Sequence, residues 1–248
     1  MFHTVAYIAA TTATADIDGA AVTDSIETIQ NGHIVPQTDK QILYGYAGCV
    51  TLLRARLNSP TLRQLSPPFI RPIDNAVSPT SRSPIADYRA NPLTIRAFEE
   101  LQFQATNSAA GPTDCYGIIG LARGGITPAP QGQVITMRGT GTTTLAAKNW
   151  TQAAITWADT LPAGQYAIVG LSGFSATAVA ARLICQDQVE RPGAVIGATG
   201  VIIPHAMFLK GGLGIWGYMS ANRMPNIEFL ASAADTAEEV YLDFVRVA

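Results

Sequence analysis

A long internal repeat is the feature that most restricts what this chain can fold into. The segment LYGYAGCVTLLRARL at 43–57 is similar to IVGLSGFSATAVAARL at 168–183, and each segment ends in Ala-Arg-Leu. Gly45 lies opposite Gly170 at an offset of 125, and Arg56 lies opposite Arg182 at an offset of 126. Solenoid repeats are only about 20 to 45 residues long, so this spacing predicts two copies of one whole domain.

The order of further segments supports the duplication. Any two β-rich sequences share some alternation and glycine turns, which is the alternative explanation. A constant order at a near-constant offset favours duplication, with domains at 1–124 and 125–248 and a Gly/Pro linker, RGGITPAPQGQ, at 123–133. The further matched segments are 4–14 with 134–144, PFIRP ending at Pro72 with QVERP ending at Pro192, 99–106 with 226–233, and 113–123 with 237–247.

Within each copy, short runs of alternating apolar residues between Gly, Pro, Asn and Asp predict strands. Charged residues make up 14% of the chain and the AVILMFWYC group 48%, which leaves ample apolar material for a core. We therefore predict an all-β fold of two tandem antiparallel β-sandwich domains, of the jelly-roll or another Greek-key type. In the second copy the predicted strands lie near 133–139, 142–147, 152–157, 164–171, 177–185, 194–203, 213–219, 226–232 and 238–247.

One segment, the Pro/Arg-rich loop at 58–92, has no counterpart of similar length in the second copy. Its prolines remove backbone donors and favour extended or turn conformations, so we expect an ordered loop rather than sheet. Seven arginines and two acids lie in or beside this loop, between Arg54 and Arg96. Long loops of this kind usually carry a function.

The residues that commonly carry catalysis or bind metals form no recognisable constellation. His3, His33 and His205 are far apart, and DIDG at 16–19 lacks the later ligands of a calcium loop. The doublets Glu99-Glu100 and Glu238-Glu239 cannot aim both acids into one cleft, because adjacent strand residues point to opposite faces. We predict no catalytic residue, no metal and no cofactor, and hence a protein that is not an enzyme.

Other sequence features limit the partners. Net charge is −2, which implies no general attraction to nucleic acid, and we expect no sequence-specific nucleic-acid binding. The N-terminus lacks the basic region of a signal peptide, so we expect no cleaved signal peptide and synthesis in the cytoplasm. Cys49, Cys115 and Cys185 are widely separated in apolar contexts, which favours buried free thiols.

Two tandem sandwiches without an active site, with a long loop in one copy, resemble the double jelly-roll major capsid proteins of tailless icosahedral viruses, bacteriophages in particular. The resemblance is one of architecture over the whole chain rather than of a short motif. It implies a virion structural protein that forms homotrimers, whose six lobes make a pseudo-hexameric capsomer that tiles a shell with its neighbours. A penton or minor capsid protein and an internal membrane are further partners that the resemblance implies.

The arginines of the loop and the aromatic residues of FLKGGLGIWGYM at 208–219 are the candidate subunit contacts. The planar fork of arginine suits bidentate contacts at interfaces, so Arg63, Arg71, Arg82 and Arg89 are predicted to bridge protomers or capsomers; a solvated loop surface is the alternative. We place Trp216 and Tyr218 in the same class of contact.

Two other classes of function stay open at this stage. A trimeric receptor- or carbohydrate-binding protein of the tail-fibre or adhesin type could use Trp150 or Trp157 as a stacking platform, although core packing is the simpler role for both. A cupin-like or glycoside-processing enzyme would need a metal or an acid pair.

Overall fold

The computed structural model describes residues 1–11, 15–48, 52–63, 85–107, 113–197 and 211–248, without the side chains of Leu53 and Arg63. Strands run through most of this part of the chain, so the all-β prediction is confirmed. The chain divides into two compact units. The first unit is Val5–Gly124, and the second unit is Gly125–Ala248 together with Met1–Thr4.

The first unit contains two main antiparallel sheets. Its elements are β1 (Phe2–Thr11), β2 (Ile17–Asp18), β3 (Ala20–Ala21), β4 (Thr28–Gln30), β5 (His33–Val35), β6 (Lys40–Gly48), β7 (Leu52–Asn58), α1 (Pro60–Arg63), β8 (Ala86–Asp87), β9 (Leu93–Ile95), β10 (Gln102–Asn107) and β11 (Thr113–Ala122). One sheet has the order β3-β1-β11-β6-β8, with β9 also paired to β6, and the other has the order β2-β10-β7. The hairpin of β4 and β5 stands apart from both.

The second unit also contains two antiparallel sheets. Its strands are β12 (Val134–Gly141), β13 (Trp150–Ala153), β14 (Ile155–Trp157), β15 (Gln165–Ser175), β16 (Ala178–Ile184), β17 (Gly193–Val195), β18 (Gly217–Ser220), β19 (Asn226–Ala231) and β20 (Glu238–Arg246). One sheet has the order β14-β12-β20-β15-β18, and the other has the order β13-β19-β16-β17.

The two units place their strands in the same order. Position by position, β3-β1-β11-β6-β8 corresponds to β14-β12-β20-β15-β18, and β2-β10-β7 corresponds to β13-β19-β16. The repeated sequence segments fall on β6 and β7 in the first unit and on β15 and β16 in the second. The repetition seen in the sequence is therefore also a repetition of strand pairing.

Cross-strand pairs show which residues correspond. Arg56 of β7 lies opposite Gln104 and donates to it from Nε at 2.7 Å, while Arg182 of β16 lies opposite Glu228 and donates to it from Nε at 2.6 Å. Gln104 therefore corresponds to Glu228. The similarity of 99–106 to 226–233 had suggested a match three residues away, because sequence similarity alone cannot fix the register of a strand.

Each unit has its own apolar core, built by alternation along the strands. In β20, which lies between β12 and β15, Val240, Leu242 and Phe244 are fully buried. The Phe244 ring packs edge-on against Tyr166 at 6.4 Å between ring centroids. In the first unit, Tyr7 stacks on Phe103 at 5.9 Å between centroids, inside a continuous cluster of apolar side chains.

Several sequence-based expectations differ from the structure. Residues 142–147 were predicted as a strand, but they form no regular strand; the side chain of Thr143 instead accepts a hydrogen bond from the backbone of Ala154. Glu99 and Glu100 precede β10 rather than beginning it. The backbone N–H groups of Leu145 and Ala146 donate to the Asp235 carbonyl and to the Thr151 hydroxyl, so their hydrogen bonds are made without a strand ladder.

The long loop and the cysteines were only partly predictable. The described ends of the loop contain the single-turn helix α1 and the short strand β8, and residues 64–84 lie outside the described residues.

Cys185 is a buried free thiol as expected. The prediction of a free thiol is wrong for Cys115, which is disulfide-bonded. Cys49 lies outside the described residues.

Candidate interaction surfaces

Of the four arginines predicted to bridge subunits, only Arg89 has a side chain that the structure describes. Arg71 and Arg82 lie outside the described residues, and Arg63 ends α1 with a side chain that is not described. Arg89 forms a bidentate ion pair with Asp87 of its own loop: Nε donates to Oδ1 at 2.9 Å and Nη2 donates to Oδ2 at 2.8 Å. This contact holds the pKa of the Asp87 carboxyl below its usual range. Its fork is used within the loop, so a role for Arg89 between subunits stays a prediction.

Trp216 and Tyr218 lie two residues apart but in opposite surroundings. The Trp216 ring is fully buried and packs edge-on against Phe2, at 5.2 Å between ring centroids. It therefore has no exposed surface to present to a second subunit. Tyr218 is 49% exposed, so it remains available for a contact.

Tyr218 lines a polar cleft of about 430 Å³ at one end of the second unit. The turn after β18 supplies Asn222 and Arg223, and the segment after β16 supplies Gln186 and Asp187. Asp187 and Arg223 make no ion pair with any described residue, so both charges are available to a ligand.

The polar cleft has a nonreactive cysteine in its wall. Burial, with a smaller contribution from the charge of Asp187, raises the pKa of the Cys185 thiol to about 12. A thiol with such a pKa is protonated at neutral pH and is a poor nucleophile. Cys185 therefore contributes shape to the cleft rather than covalent chemistry.

A second cleft, of about 580 Å³, lies beside the connection of β13 to β14 and has both polar and apolar walls. Thr143, Gln152 and Asn226 supply polar groups. Trp157, Ile155, Met224 and Pro225 supply the apolar walls, and we call this cleft the Trp157 cleft. The indole of Trp157 lies over Gly139 of the neighbouring strand, where an added Cβ would approach the ring to 2.9 Å. The close approach of that backbone leaves Trp157 packed on one side and half-exposed on the other.

Phe98 is an exposed aromatic residue held in an unfavourable backbone conformation. Its side chain is 71% exposed and its φ is 65°, in the left-handed region. Side chains other than glycine, asparagine or aspartate rarely adopt that region, and bulky ones are outliers there. Such strain persists only where the surrounding contacts impose it.

The contacts around Phe98 impose the conformation from both sides. The Phe98 backbone N–H donates to the carbonyl of Pro36 at 2.8 Å, and the Ala97 N–H donates to Asp39 at 2.9 Å. The Glu99 carboxylate accepts from Thr61 at the start of α1, from the hydroxyl at 2.6 Å and from the N–H at 3.2 Å. The turn is therefore pinned, and it holds a phenyl ring out into solvent.

A buried ionic network joins β16 and β19. Glu228 accepts from Arg182 at 2.6 Å and from Arg191 at 2.8 Å, and Arg182 also donates to the Thr4 carbonyl at 3.1 Å. The Arg182 guanidinium lies 4.1 Å from the centroid of the Trp150 ring. Arg182 therefore covers one face of the Trp150 ring, which is half-exposed, so a role of Trp150 in binding a sugar stays a prediction.

Glu238 and Glu239 have different surroundings, as expected for adjacent residues of a strand, which point to opposite faces. Glu238 is buried, with neither oxygen in a regular hydrogen bond, whereas Glu239 pairs with the exposed Arg138. Burial raises the pKa of Glu238 to about 6, and the hydrogen bond from Arg138 lowers the pKa of Glu239. The two carboxylates do not serve one cleft.

Sequence reasoning missed the features that are most exposed to a partner. Phe98 directly precedes the segment 99–106, which was compared with a strand, and no glycine or asparagine marks its left-handed backbone. The exposure of Tyr218 and the burial of Trp216 also could not be separated, because both lie in one glycine-rich segment. The residues Arg96 to Glu100 include no Gly, Pro, Asn or Asp, so the sequence contained no signal for the turn at Phe98.

Neither a cluster of metal ligands nor a known relative indicates a function for the described part of the chain. Within the described ranges, no three His, Cys, Asp or Glu side chains come together in a way that could hold a metal ion. No helix in that part of the chain is both long and apolar enough to cross a membrane. No known protein family, curated protein or solved structure matches this chain.

Proposed function

We propose that the two units are jelly rolls and that the chain is the major capsid subunit of a tailless icosahedral virus, of the bacteriophage type. In this proposal it is a structural virion protein without catalytic activity. The observation that carries the proposal is the identical strand order in the two units.

The strand order itself supports the jelly-roll assignment. If the strands of the second unit other than β14 are numbered one to eight along the chain, its sheets have the orders 1-8-3-6 and 2-7-4-5. A long hairpin with pairs 1:8, 2:7, 3:6 and 4:5, wound into two layers, gives this arrangement, which defines a jelly roll. When β3, β4, β5 and β9 are left out of the numbering and the number five is skipped, the other described strands of the first unit follow the same scheme, with the orders 1-8-3-6 and 2-7-4.

Duplication has a physical use in a shell. A homotrimer of a chain with two similar lobes presents six similar lobes around its axis, so its outline is close to sixfold although its symmetry is threefold. Such a tile packs against six neighbours, and one gene product can cover a closed surface. A separate penton or minor capsid protein at the fivefold positions, and contact with an internal membrane, belong to the proposal as partners.

The proposal is tested by the state of assembly of the purified protein. Light scattering after size exclusion is expected to give three times the 26.2 kDa chain mass, and negative-stain microscopy is expected to show hexagonal particles or closed shells of uniform size. A chain that stays monomeric over a wide range of concentration and ionic strength would contradict the assignment.

A second candidate function is the binding of a carbohydrate receptor, and the polar cleft favours it. The half-exposed Tyr218 ring stands beside Asp187, Asn222 and Arg223, whose charged and amide groups can both donate and accept hydrogen bonds. Glycan-array binding that is lost in Tyr218→Ala would support this role. Trp157→Ala, in the other cleft, is the matched control and is expected to retain binding.

A further inference from the structure

The Phe98 turn, defined as residues 96–99, has the properties of a preformed contact. Strained conformations that are fixed by their surroundings concentrate at functional sites. An aromatic ring held rigidly in solvent loses little conformational entropy when it is buried by a partner, and aromatic anchors dominate binding energy at interfaces. A flexible loop residue would offer neither advantage.

The Trp157 cleft is the matching cavity. β13 and β14 are the end strands of their two sheets, so the cleft lies where both sheets stop. Strand ends of this kind are normally covered or blocked, because their unpaired backbone groups invite association. Trp157, Ile155 and Met224 expose apolar surface inside the cleft, which has more room than one phenyl ring needs.

The charges next to the two features are complementary. Glu100 follows the Phe98 turn directly, and Arg223 lies in the wall of the adjoining polar cleft, which shares Pro225 with the Trp157 cleft. The Glu99 carboxylate is held by Thr61 and is not part of this contact. Arg223 is exposed and makes no ion pair with any described residue. Opposite charges at the rim of an apolar contact favour one orientation of docking.

We propose that Phe98 of one copy of this chain inserts into the Trp157 cleft of a second copy, with Glu100 facing Arg223. This inference rests on the proposed self-assembly and assigns the contact that produces it. A contact between two different patches of the same protein is heterologous, and it closes into a ring when the rotation per subunit permits. Three such contacts close a trimer in which every Phe98 and every cleft is used.

Two single variants test the two sides of the contact. Phe98→Gly removes the ring and places glycine, which tolerates a positive φ, at the strained position. Ala154→Arg fills the cleft from an exposed position of its wall. Each variant alone is expected to fall from three chains to one by light scattering, and each is expected to keep the far-UV circular dichroism of the wild-type chain.

A mixture of the two variants separates a specific contact from a folding defect. Phe98→Gly keeps its cleft and Ala154→Arg keeps its ring, so one intact contact remains between them and none beyond it. Sedimentation of the mixture is expected to show a species of two chains, one of each kind. Val189→Ala is the matched control, because Val189 is also 71% exposed but lies in neither partner of the contact; it is expected to remain a trimer.

The outcomes distinguish this inference from the proposed function. A wild-type trimer that persists in Phe98→Gly or in Ala154→Arg would overturn the inference and leave the capsid proposal standing. A mixture that remains monomeric while both variants are folded would also overturn it. A wild-type protein that never associates would overturn both.

Discussion

Glu238 provides a quantitative test of the second unit. It begins β20, it is 2% exposed, and neither carboxylate oxygen makes a regular hydrogen bond. Burial, with a smaller contribution from the charge of Asp235, raises the pKa of Glu238 from 4.5 to about 6. The backbone N–H groups of Glu238 and Thr143 offset part of this effect.

Glu238→Gln removes the charge and keeps the shape. A rise of about 1.5 pKa units corresponds to about 2 kcal/mol, since one unit is worth about 1.4 kcal/mol. Because the pKa is higher in the folded state, Glu238 stabilises the fold when it is protonated, and this stability is lost as the pH rises through 6. The free energy of unfolding of the variant, relative to wild type, is therefore expected to rise by about 2 kcal/mol between pH 4 and pH 7.5.

Tryptophan fluorescence during urea unfolding measures this change, because all three tryptophans lie in the second unit. Glu239→Gln is the control with the opposite sign. The pKa of Glu239 is lowered by Arg138, so that pair stabilises the fold above the ordinary pKa and loses its effect as the pH falls. A difference between Glu238→Gln and wild type that does not vary with pH, or that decreases as the pH rises, would refute the reasoning.

The remaining predictions concern packing, backbone and thiol. Arg182→Met, which leaves a buried carboxylate short of a partner, is expected to destabilise the second unit by about 3 kcal/mol in the same fluorescence assay. The corresponding Arg56→Met, at a side chain 31% exposed, is expected to cost less than about 1 kcal/mol by circular dichroism, and equal costs would contradict the assigned burial. Gly214→Ala is expected to lower the melting temperature far more than Gly124→Ala, because both have a positive φ but an added Cβ at 214 would meet a backbone oxygen at 2.0 Å, whereas nothing lies within 4 Å at 124. Cys185 is expected to resist alkylation at pH 8 until the chain is unfolded, as followed by peptide mass spectrometry; rapid labelling of the native protein would show that its thiol is accessible.

The strands were predictable because the alternation that indicates them involves only residues that are close together in the sequence. Alternation along β20 and along β15 indicated strands close to their observed bounds, and Gly and Pro marked their ends. The error at 142–147 has a physical cause. A Thr-rich run alternates like a strand, but the N–H groups of Leu145 and Ala146 donate to the Asp235 carbonyl and the Thr151 hydroxyl instead of to a neighbouring strand.

The candidate sites were much less predictable, as Trp150 illustrates. The sequence allowed a sugar platform there, and the structure instead places the Arg182 guanidinium over the ring. The exposed Phe98 carried no marker of a turn at all, since its conformation is imposed by contacts with Pro36 and Asp39, about 60 residues earlier in the chain. Side-chain exposure depends on distant neighbours, which a local pattern does not contain.

The sequence by itself determined that the chain is all-β and that one pattern of strands occurs twice, because alternation and repetition are properties of residue order. Tertiary structure alone decided what each repeated residue does. Arg56 and Arg182 stand in the same Ala-Arg-Leu triplet, yet one is partly exposed beside Gln104 and the other is buried against Glu228. Their partners lie 48 and 46 residues away along the chain, and only the pairing of strands brings them within hydrogen-bonding distance.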